Sequence, residues 1–531
     1  MPEVPSETAA KQGDGMFDWV LTGGTVIDGT GRAGFRADVG LAGDRIAAVG
    51  RLEGREAQRT VDASGLVICP GFIDVHSHSE FALLRGDGHE PRLRQGITTD
   101  LMGPDGFAYA PLSPTRLAEM KAYLTRFIGP PDTEWEWSDA VEYWDLFDGR
   151  VGINLIPQVG FNAVRAEAVG WDPRPATPGE IDRMQGLTRQ VMEEGACGIQ
   201  TGLDYFPSGH AATEELVAVA QVVNEYGGTY GSHVRGNRGE VDPGVREALL
   251  IGREAEVPVH ISHLFGSERL YQELVEAREE GIDVTFDAYP YMAASSHLAY
   301  ALPRWVDQGP PERVAQVLAD PEVQSRVAPD VEGFFSSYVS RPGDALFSYL
   351  PDGPYRYLEG CSLLDAMEDI GGTLTETVCR LLVECRMDVL MVYRWNDEAK
   401  LHRAMTHPLG MVASDGVFLG SYPHPRGFGT HALVLARLVR EKGWLDFTDA
   451  IRRMTGMPAA RYGLSDRGVI RPGAAADLAV FDPARFEDRA TFRNPRSNAV
   501  GMDYVFVNGR AAIDGGRLVD TTAGRVLRRP G

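Results

Sequence analysis

The sequence predicts an α/β fold: a TIM-type (β/α)8 barrel, a small β-sandwich domain built from both termini, and a helical insert between strands 7 and 8. Three observations predict it. Eight strand-like segments alternate with helix-like ones across residues 71–464, the pattern of βα units around a parallel sheet. Short apolar runs separated by turn signals occur only at the two ends of the chain, over 16–70 and 465–531. A charge-rich stretch at about 299–400 shows no clear strand and is too long for a simple crossover, so it reads as a mostly helical insert.

In chain order, residues 1–15 carry acidic residues and prolines and read as a flexible tail. DWVLTGGTVIDGTG, DVGLAGDRIAAVG and GLVICPG follow as small antiparallel structure. GVIRPGAAADLAVFDP and VGMDYVFVNGRAAIDGG repeat that texture near the other end, where Asn508-Gly509 signals a hairpin. Each half alone would expose an unpaired edge, so the two are expected to pack together. Between them the candidate strands are GFIDVHSH, ITTDLMG, GINLIPQVG, CGIQTGL, GTYGSHV, VPVHISHL, DVTFDAYPY and GMVASDG. TPGEIDRMQGLTRQVMEEG, ATEELVAVAQVVNEYG and GVREALLIGREAE are the clearest helices between them. In such a barrel the active site lies at the C-terminal ends of the strands.

Composition narrows the function classes. With 52 Lys+Arg against 75 Asp+Glu, the net charge of −23 disfavours nucleic acid and anionic membranes and otherwise reads as a solubility feature; the small-molecule substrate expected below rests on a resemblance, not on charge. A homo-oligomer stays open. Five cysteines, odd in number and without C-x-x-C spacing, fit a reducing cytoplasm better than a disulfide framework. The first residues lack an apolar signal core and no run reaches 18 apolar residues, so secretion and membrane spanning are not expected.

The histidines and acids fall at strand ends. His76 and His78 are two apart, so on a strand both imidazoles leave one face about 6.6 Å apart, close enough to share a cation. His233, His263 and Asp415 end three further strands and would converge on the same mouth. His260 lies three before His263 and is expected to face a helix or sheet neighbour instead. His297 and His424 are weaker pocket candidates, and His89, His210, His402, His407 and His431 form no pattern. No G-x-S-x-G elbow or Walker-type loop is present.

These residues resemble a known family. GFIDVHSH, SHVR, ISHL, ASDG and the GVIRPGAAADLAVFDP tail look like the amidohydrolase superfamily. More narrowly, GIQTGLDYFPSGHAATEEL, DVTFDAYPYMAASS, PHPRGFGT and DRATFRNP are similar to the D-aminoacylase (N-acyl-D-amino-acid deacylase) group. The resemblance covers most of 17–529 and weakens in the insert. It implies a metal site of one or two divalent ions, Zn2+ with Mn2+ or Co2+ as alternatives. His233 and His263 would hold the tighter ion, and His76 and His78 would serve a weaker site together with Asp415, which would also shuttle the proton. Asp105, in LMGPDGF, stands where the family has a cysteine ligand. Carboxylate can still ligate zinc, though its harder oxygen shifts metal preference. Phe161 and Phe265 replace a histidine and a lysine of the family pattern.

The resemblance further implies that Tyr205, Tyr289 and Ser295 line the substrate site. Arg426 is the natural anchor for a substrate carboxylate, which its planar guanidinium can grip in bidentate fashion. The expected function is metal-dependent hydrolysis of N-acyl-(D-)amino acids to a carboxylate and a free amino acid. Phe161 and Phe265 motivate an alternative substrate, a cyclic amide, dipeptide or other hydrophobic amide. Asp105 motivates a non-catalytic binding or assembly protein on the same scaffold.

Overall fold

Strands from the two ends of the chain meet in one sheet. The computed structural model describes residues 16–129, 136–236, 241–339, 341–395 and 397–529; the tail expected over 1–15 lies outside them. Val67–Pro70 runs antiparallel to Leu478–Phe481, which joins a nine-stranded sheet whose other members lie between Phe17 and Asp62 and between Met502 and Leu518. The edge that each half would have exposed is thereby paired. The hairpin between Met502–Val507 and Arg510–Asp514 turns at Asn508 and Gly509, both with positive φ (49° and 78°), as a tight primed turn requires.

The central strands are β1 (Phe72–Asp74), β2 (Ile97–Leu101), β3 (Asn154–Ile156), β4 (Gly198–Gly202), β5 (Thr229–His233), β6 (Val259–Ile261), β7 (Val284–Ala288) and β8 (Gly410–Val412). All pair in parallel: β1 with β2 and β2 with β3, then β4 through β8 in sequence order. The chain after β3 resumes as Val159–Gly160, which pairs with β4. After β8, Gly416–Val417 pairs in parallel with Ser77–His78, just beyond β1. Every residue of these eight strands is buried, which parallel strands under helices demand.

Helices alternate with them as the apolar spacing predicts: Pro178–Glu193, Thr213–Glu225, Val241–Glu254 and Glu268–Glu279 separate β3 from β4 through β6 from β7. Thr177 and Glu180 form a capping box at the start of the first, with Pro178 at its first position, where the missing N–H costs nothing.

The segment between β7 and β8 carries the expected helices, among them Pro311–Leu318, Pro321–Gly333, Leu363–Ile370 and Leu374–Glu384, around its own apolar core. It also holds a three-stranded antiparallel sheet, in the order Ala293–His297, Leu390–Arg394, Ala345–Tyr349. Local patterning hid that sheet, because its strands pair across dozens of intervening residues and their side chains are mostly buried on both faces.

Candidate metal centre

Four imidazoles and two carboxylates converge at the C-terminal ends of the parallel strands. His76 and His78 follow β1, Asp105 sits in the turn after β2, His233 ends β5, and His263 and Asp415 follow β6 and β8. Seven non-glycine residues have positive φ among those described, and three belong to this cluster: Asp105 (58°), His263 (33°) and Asp415 (48°). Such conformations each cost on the order of 1–3 kcal/mol and persist where surrounding structure imposes them, commonly at functional sites.

Asp105 is the centre of the arrangement. Its Oδ1 lies 3.4 Å from His76 Nε2, 3.6 Å from His233 Nδ1 and 3.8 Å from His263 Nε2, while Oδ2 lies 3.8 Å from His78 Nε2. Asp415 Oδ1 is 3.5 Å from His78 Nε2 and 3.7 Å from His76 Nε2. His233 Nδ1 and His263 Nε2 are 3.0 Å apart. Two groups, His76/Asp105/His263 and His76/His78/Asp415, bring one ligand atom from each member within 4.8 Å of the others. Donors about 2.0–2.2 Å from a tetrahedral cation sit roughly 3.4 Å from each other, so these spacings match a coordination shell. His76 Nε2 and Asp105 Oδ1 are buried without a hydrogen-bond partner, a costly arrangement that a cation between them would relieve.

The electrostatics agree. Burial alone would raise the Asp105 carboxyl, yet His76, His233 and His263 pull it well below the usual carboxylate range. Asp415 is likewise buried and held low, chiefly by Arg426 and then His78. Burial opposes charge on His263, but Asp105 and Asp415 push its pKa up to about 9. The cluster thus draws positive charge inward, as a cation site should. Imidazole and carboxylate donors without sulfur suit zinc and harder divalent ions.

Residues behind the cluster hold it in place. Asp74 accepts from the backbone N–H of His76 (3.2 Å) and of Ser414 (3.0 Å), joining the segments that carry His76 and Asp415. Arg92, fully buried, pairs with Asp74, donates to Asp100 (2.6 Å) and reaches Ser414 Oγ (3.2 Å). Glu80 accepts from Gly103 N–H (2.6 Å) and so steers the turn bearing Asp105. Asp287 accepts from His263 N–H (2.8 Å) and bonds His260 Nε2 (2.9 Å). His260 therefore faces the neighbouring strand, as its spacing predicts. Sequence reasoning singled out none of these acids, although Asp74 and Asp287 stand inside the motifs GFIDVHSH and DVTFDAYPY.

A pocket opens on the cluster and is lined by Tyr205, Tyr289, Ser295 and Arg426 as expected, and also by Phe107, Phe127, Tyr300, Tyr393 and Trp395. Arg426, 1% exposed, stacks over Tyr289 with its guanidinium carbon 4.7 Å from the ring centroid, and its Nε and Nη1 have no hydrogen-bond partner. His424 accepts from Arg426 N–H (3.0 Å) and bonds the Ala293 carbonyl through Nε2 (3.1 Å), so it braces the arginine. His297 is buried against Phe127. Phe265 packs on Tyr289 and Trp395, while Phe161 belongs to the main core. Missed by sequence reasoning were Phe127, Tyr300, Tyr393 and Trp395, because helix Pro114–Ile128 and the insert deliver them from a distance.

Comparison with known proteins decides the family: the profile described as "Amidohydrolase family" matches residues 59–333 and 344–513. The chain belongs to the amidohydrolase family. Among amidohydrolases, the D-aminoacylase of Alcaligenes xylosoxydans xylosoxydans is 34% identical over 521 residues, covering 97% of this chain and 98% of the relative. An N-acyl-D-glutamate deacylase of the same organism is 32% identical, covering 97% of each. The crystal structure of a D-aminoacylase superposes with a TM-score of 0.80 at 34% identity, over 97% of this chain and 100% of that one. The N-acyl-D-glutamate deacylase of Bordetella bronchiseptica, solved with zinc and a phosphonate mimic of the tetrahedral intermediate, gives the same score at 32% identity, again over 97% and 100%.

Proposed function

We propose that this amidohydrolase hydrolyses the amide bond of N-acyl-D-amino acids, with zinc or another divalent ion held by His76, His78, Asp105, His233 and His263. The observation that carries this reading is Asp105, whose two oxygens face the imidazoles of both histidine pairs. The parallel strands read as one eight-stranded (β/α)8 barrel with this cluster at its mouth. A bound divalent cation supplies Lewis acidity at the amide carbonyl and makes water a competent nucleophile near neutral pH. Asp415 takes a proton from the attacking water and passes it to the leaving nitrogen. Arg426 grips the substrate carboxylate through its free nitrogens, Tyr289 beneath it fixes the guanidinium plane, and Tyr205 and Ser295 complete the walls. The five cysteines are all unpaired, which suits a reducing cytoplasm.

Among the described residues lining the pocket, Arg426 is the one arginine or lysine, and seven of the eighteen are phenylalanine, tyrosine or tryptophan. Once that cation holds the α-carboxylate, no second one remains for an acidic side chain. Substrates with apolar side chains are therefore preferred over N-acyl aspartate or glutamate. The packing of Phe265 on Tyr289 and Trp395 favours a second reading, hydrolysis of a dipeptide, cyclic or other hydrophobic amide.

A panel of N-acetyl-D- and N-acetyl-L-amino acids, extended to dipeptides and cyclic amides and assayed with zinc, manganese or cobalt, separates these readings. The expected result is turnover of apolar N-acetyl-D-amino acids. Exclusive turnover of another amide class would install the second reading, and no turnover with any metal would end the enzymatic one.

A further inference from the structure

Asp204 lies at the edge of the metal cluster without touching its centre. It follows β4, and its carboxylate is fully buried. Oδ2 stands 3.5 Å from His233 Nε2 and accepts a hydrogen bond from Tyr300 Oη at 3.2 Å. Oδ1 accepts from Gly236 N–H at 3.0 Å and from Arg304 Nη2 at 2.6 Å. The ring of His233 is thus addressed from both sides: Nδ1 faces Asp105 and His263, and Nε2, buried without a hydrogen-bond partner, faces Asp204 at 3.5 Å, a gap that a small rotation of the ring would close. The next residue, Tyr205, covers the same imidazole, with ring centroids 4.8 Å apart. Tyr300 and Arg304 come from the insert, which also walls the substrate pocket through Tyr300, Tyr393 and Trp395.

A metal-binding imidazole presents one nitrogen to the cation only if the other carries the proton, and a hydrogen bond to that second nitrogen selects the tautomer and ring orientation. A buried carboxylate is the strongest such partner, but alone it would be expensive to bury. Arg304 supplies the compensating charge, and because its side chain is 45% exposed it does so from the rim of the insert.

We propose that Asp204 is a positioning residue that holds His233 with Nδ1 toward the metal, and that Arg304 and Tyr300 make this hold depend on the insert being docked. The inference rests on the reading of the cluster as a metal site. It adds that the insert, through one carboxylate, sets how firmly the ion is held. Without Arg304 and Tyr300 the Asp204 carboxylate loses its countercharge and a donor, His233 gains rotational freedom, and metal retention falls.

The test uses Co2+ as the probe metal on the full-length protein freed of metal by a chelator, reading affinity by competition and site geometry from the visible spectrum of the cobalt protein. Asp204→Asn is expected to weaken Co2+ binding about 10–100-fold and to alter the spectrum. Asp204→Asn leaves no buried charge, since Arg304 is 45% exposed and can turn to solvent, and it is the variant that folds most readily; the insert's part is tested by Arg304→Met, with thermal denaturation read beside binding. Arg304→Met is expected to weaken binding in the same direction by a smaller factor, with Arg304→Lys restoring most of it. Wild-type affinity and spectrum in a folded Asp204→Asn protein would overturn the positioning role. An unchanged Arg304→Met protein would overturn the part assigned to the insert. If the wild-type protein itself binds no Co2+, the metal site falls, an outcome distinct from either.

Discussion

Arg426 Nη2 lies 2.8 Å from Asp415 Oδ2, so the residue proposed to grip the substrate also braces the residue proposed to move the proton. Both are buried, and the arginine keeps Asp415 ionised at neutral pH against its burial. Recognition and chemistry therefore share one ion pair, and substitutions in it should separate into distinguishable kinetic classes.

Replacing Asp415 with asparagine keeps the shape but removes the proton acceptor. Turnover of N-acetyl-D-amino acids should fall about 10²–10⁴-fold while metal content stays near that of the parent, read by steady-state kinetics beside elemental analysis. Near-parental turnover at full metal occupancy would remove Asp415 from the proton path.

Arg426→Lys preserves the charge beside Asp415 but gives up the planar two-pronged grip. KM for carboxylate substrates should rise about tenfold or more, the scale of one charged hydrogen bond, with a smaller change for an uncharged amide analogue. Equal effects on both substrates would place the carboxylate elsewhere.

In the proposed metal site Asp105 is a ligand, and its carboxylate would bias the identity of the ion. Asp105→Ala should lose most bound metal after dialysis. Asp105→Cys should recover binding with preference shifted toward softer ions such as cadmium, measured by competition between cadmium and manganese. Parental metal content in the alanine variant would contradict the central placement of this carboxylate.

Removal of the ion should also destabilise the fold, since a ligand that binds only the native state stabilises it by mass action. Treatment with a chelator is expected to lower Tm, and adding back zinc, manganese or cobalt to restore it in a concentration-dependent way. A Tm indifferent to every divalent ion would argue that the cluster is not a metal site.

His431 carries a pH dependence of known sign. It stacks on Phe72, neither ring nitrogen has a hydrogen-bond partner, and burial, with Arg92 against Asp74, lowers its pKa to about 4 from 6.5. Between those values the unfolded chain binds a proton that the folded one refuses, so stability falls as pH drops from 6.5 toward 4. The full shift corresponds to about 3 kcal/mol. Denaturant titrations across this window should show a shallower pH slope for His431→Phe than for the parent; identical slopes would show that His431 titrates freely.

The strand-end histidines were legible because alternation of strands and helices already implies a shared mouth for His233, His263 and Asp415; the period of two expected for His76 and His78 does not place them, since β1 ends at Asp74 and His76 lies in a bend before Ser77–His78. Asp105 could be marked from its position in LMGPDGF, but nothing local shows that both its oxygens face imidazoles; the turn at Pro104–Gly106 and the hold of Glu80 on Gly103 decide that. Asp204 sat unnoticed beside Tyr205 because its partner Arg304 is 100 residues away. The insert's sheet escaped notice for the same reason.

By itself the chain's order of residues determined which groups could bind metal, which strands would carry them and that the ends must meet, since periodicity and edge pairing are local or obligatory constraints. Only the tertiary structure decided which way each carboxylate points and which distant arginine or backbone N–H steadies it. Those outcomes depend on contacts whose partners are far apart along the chain, and such contacts leave no periodic trace in it.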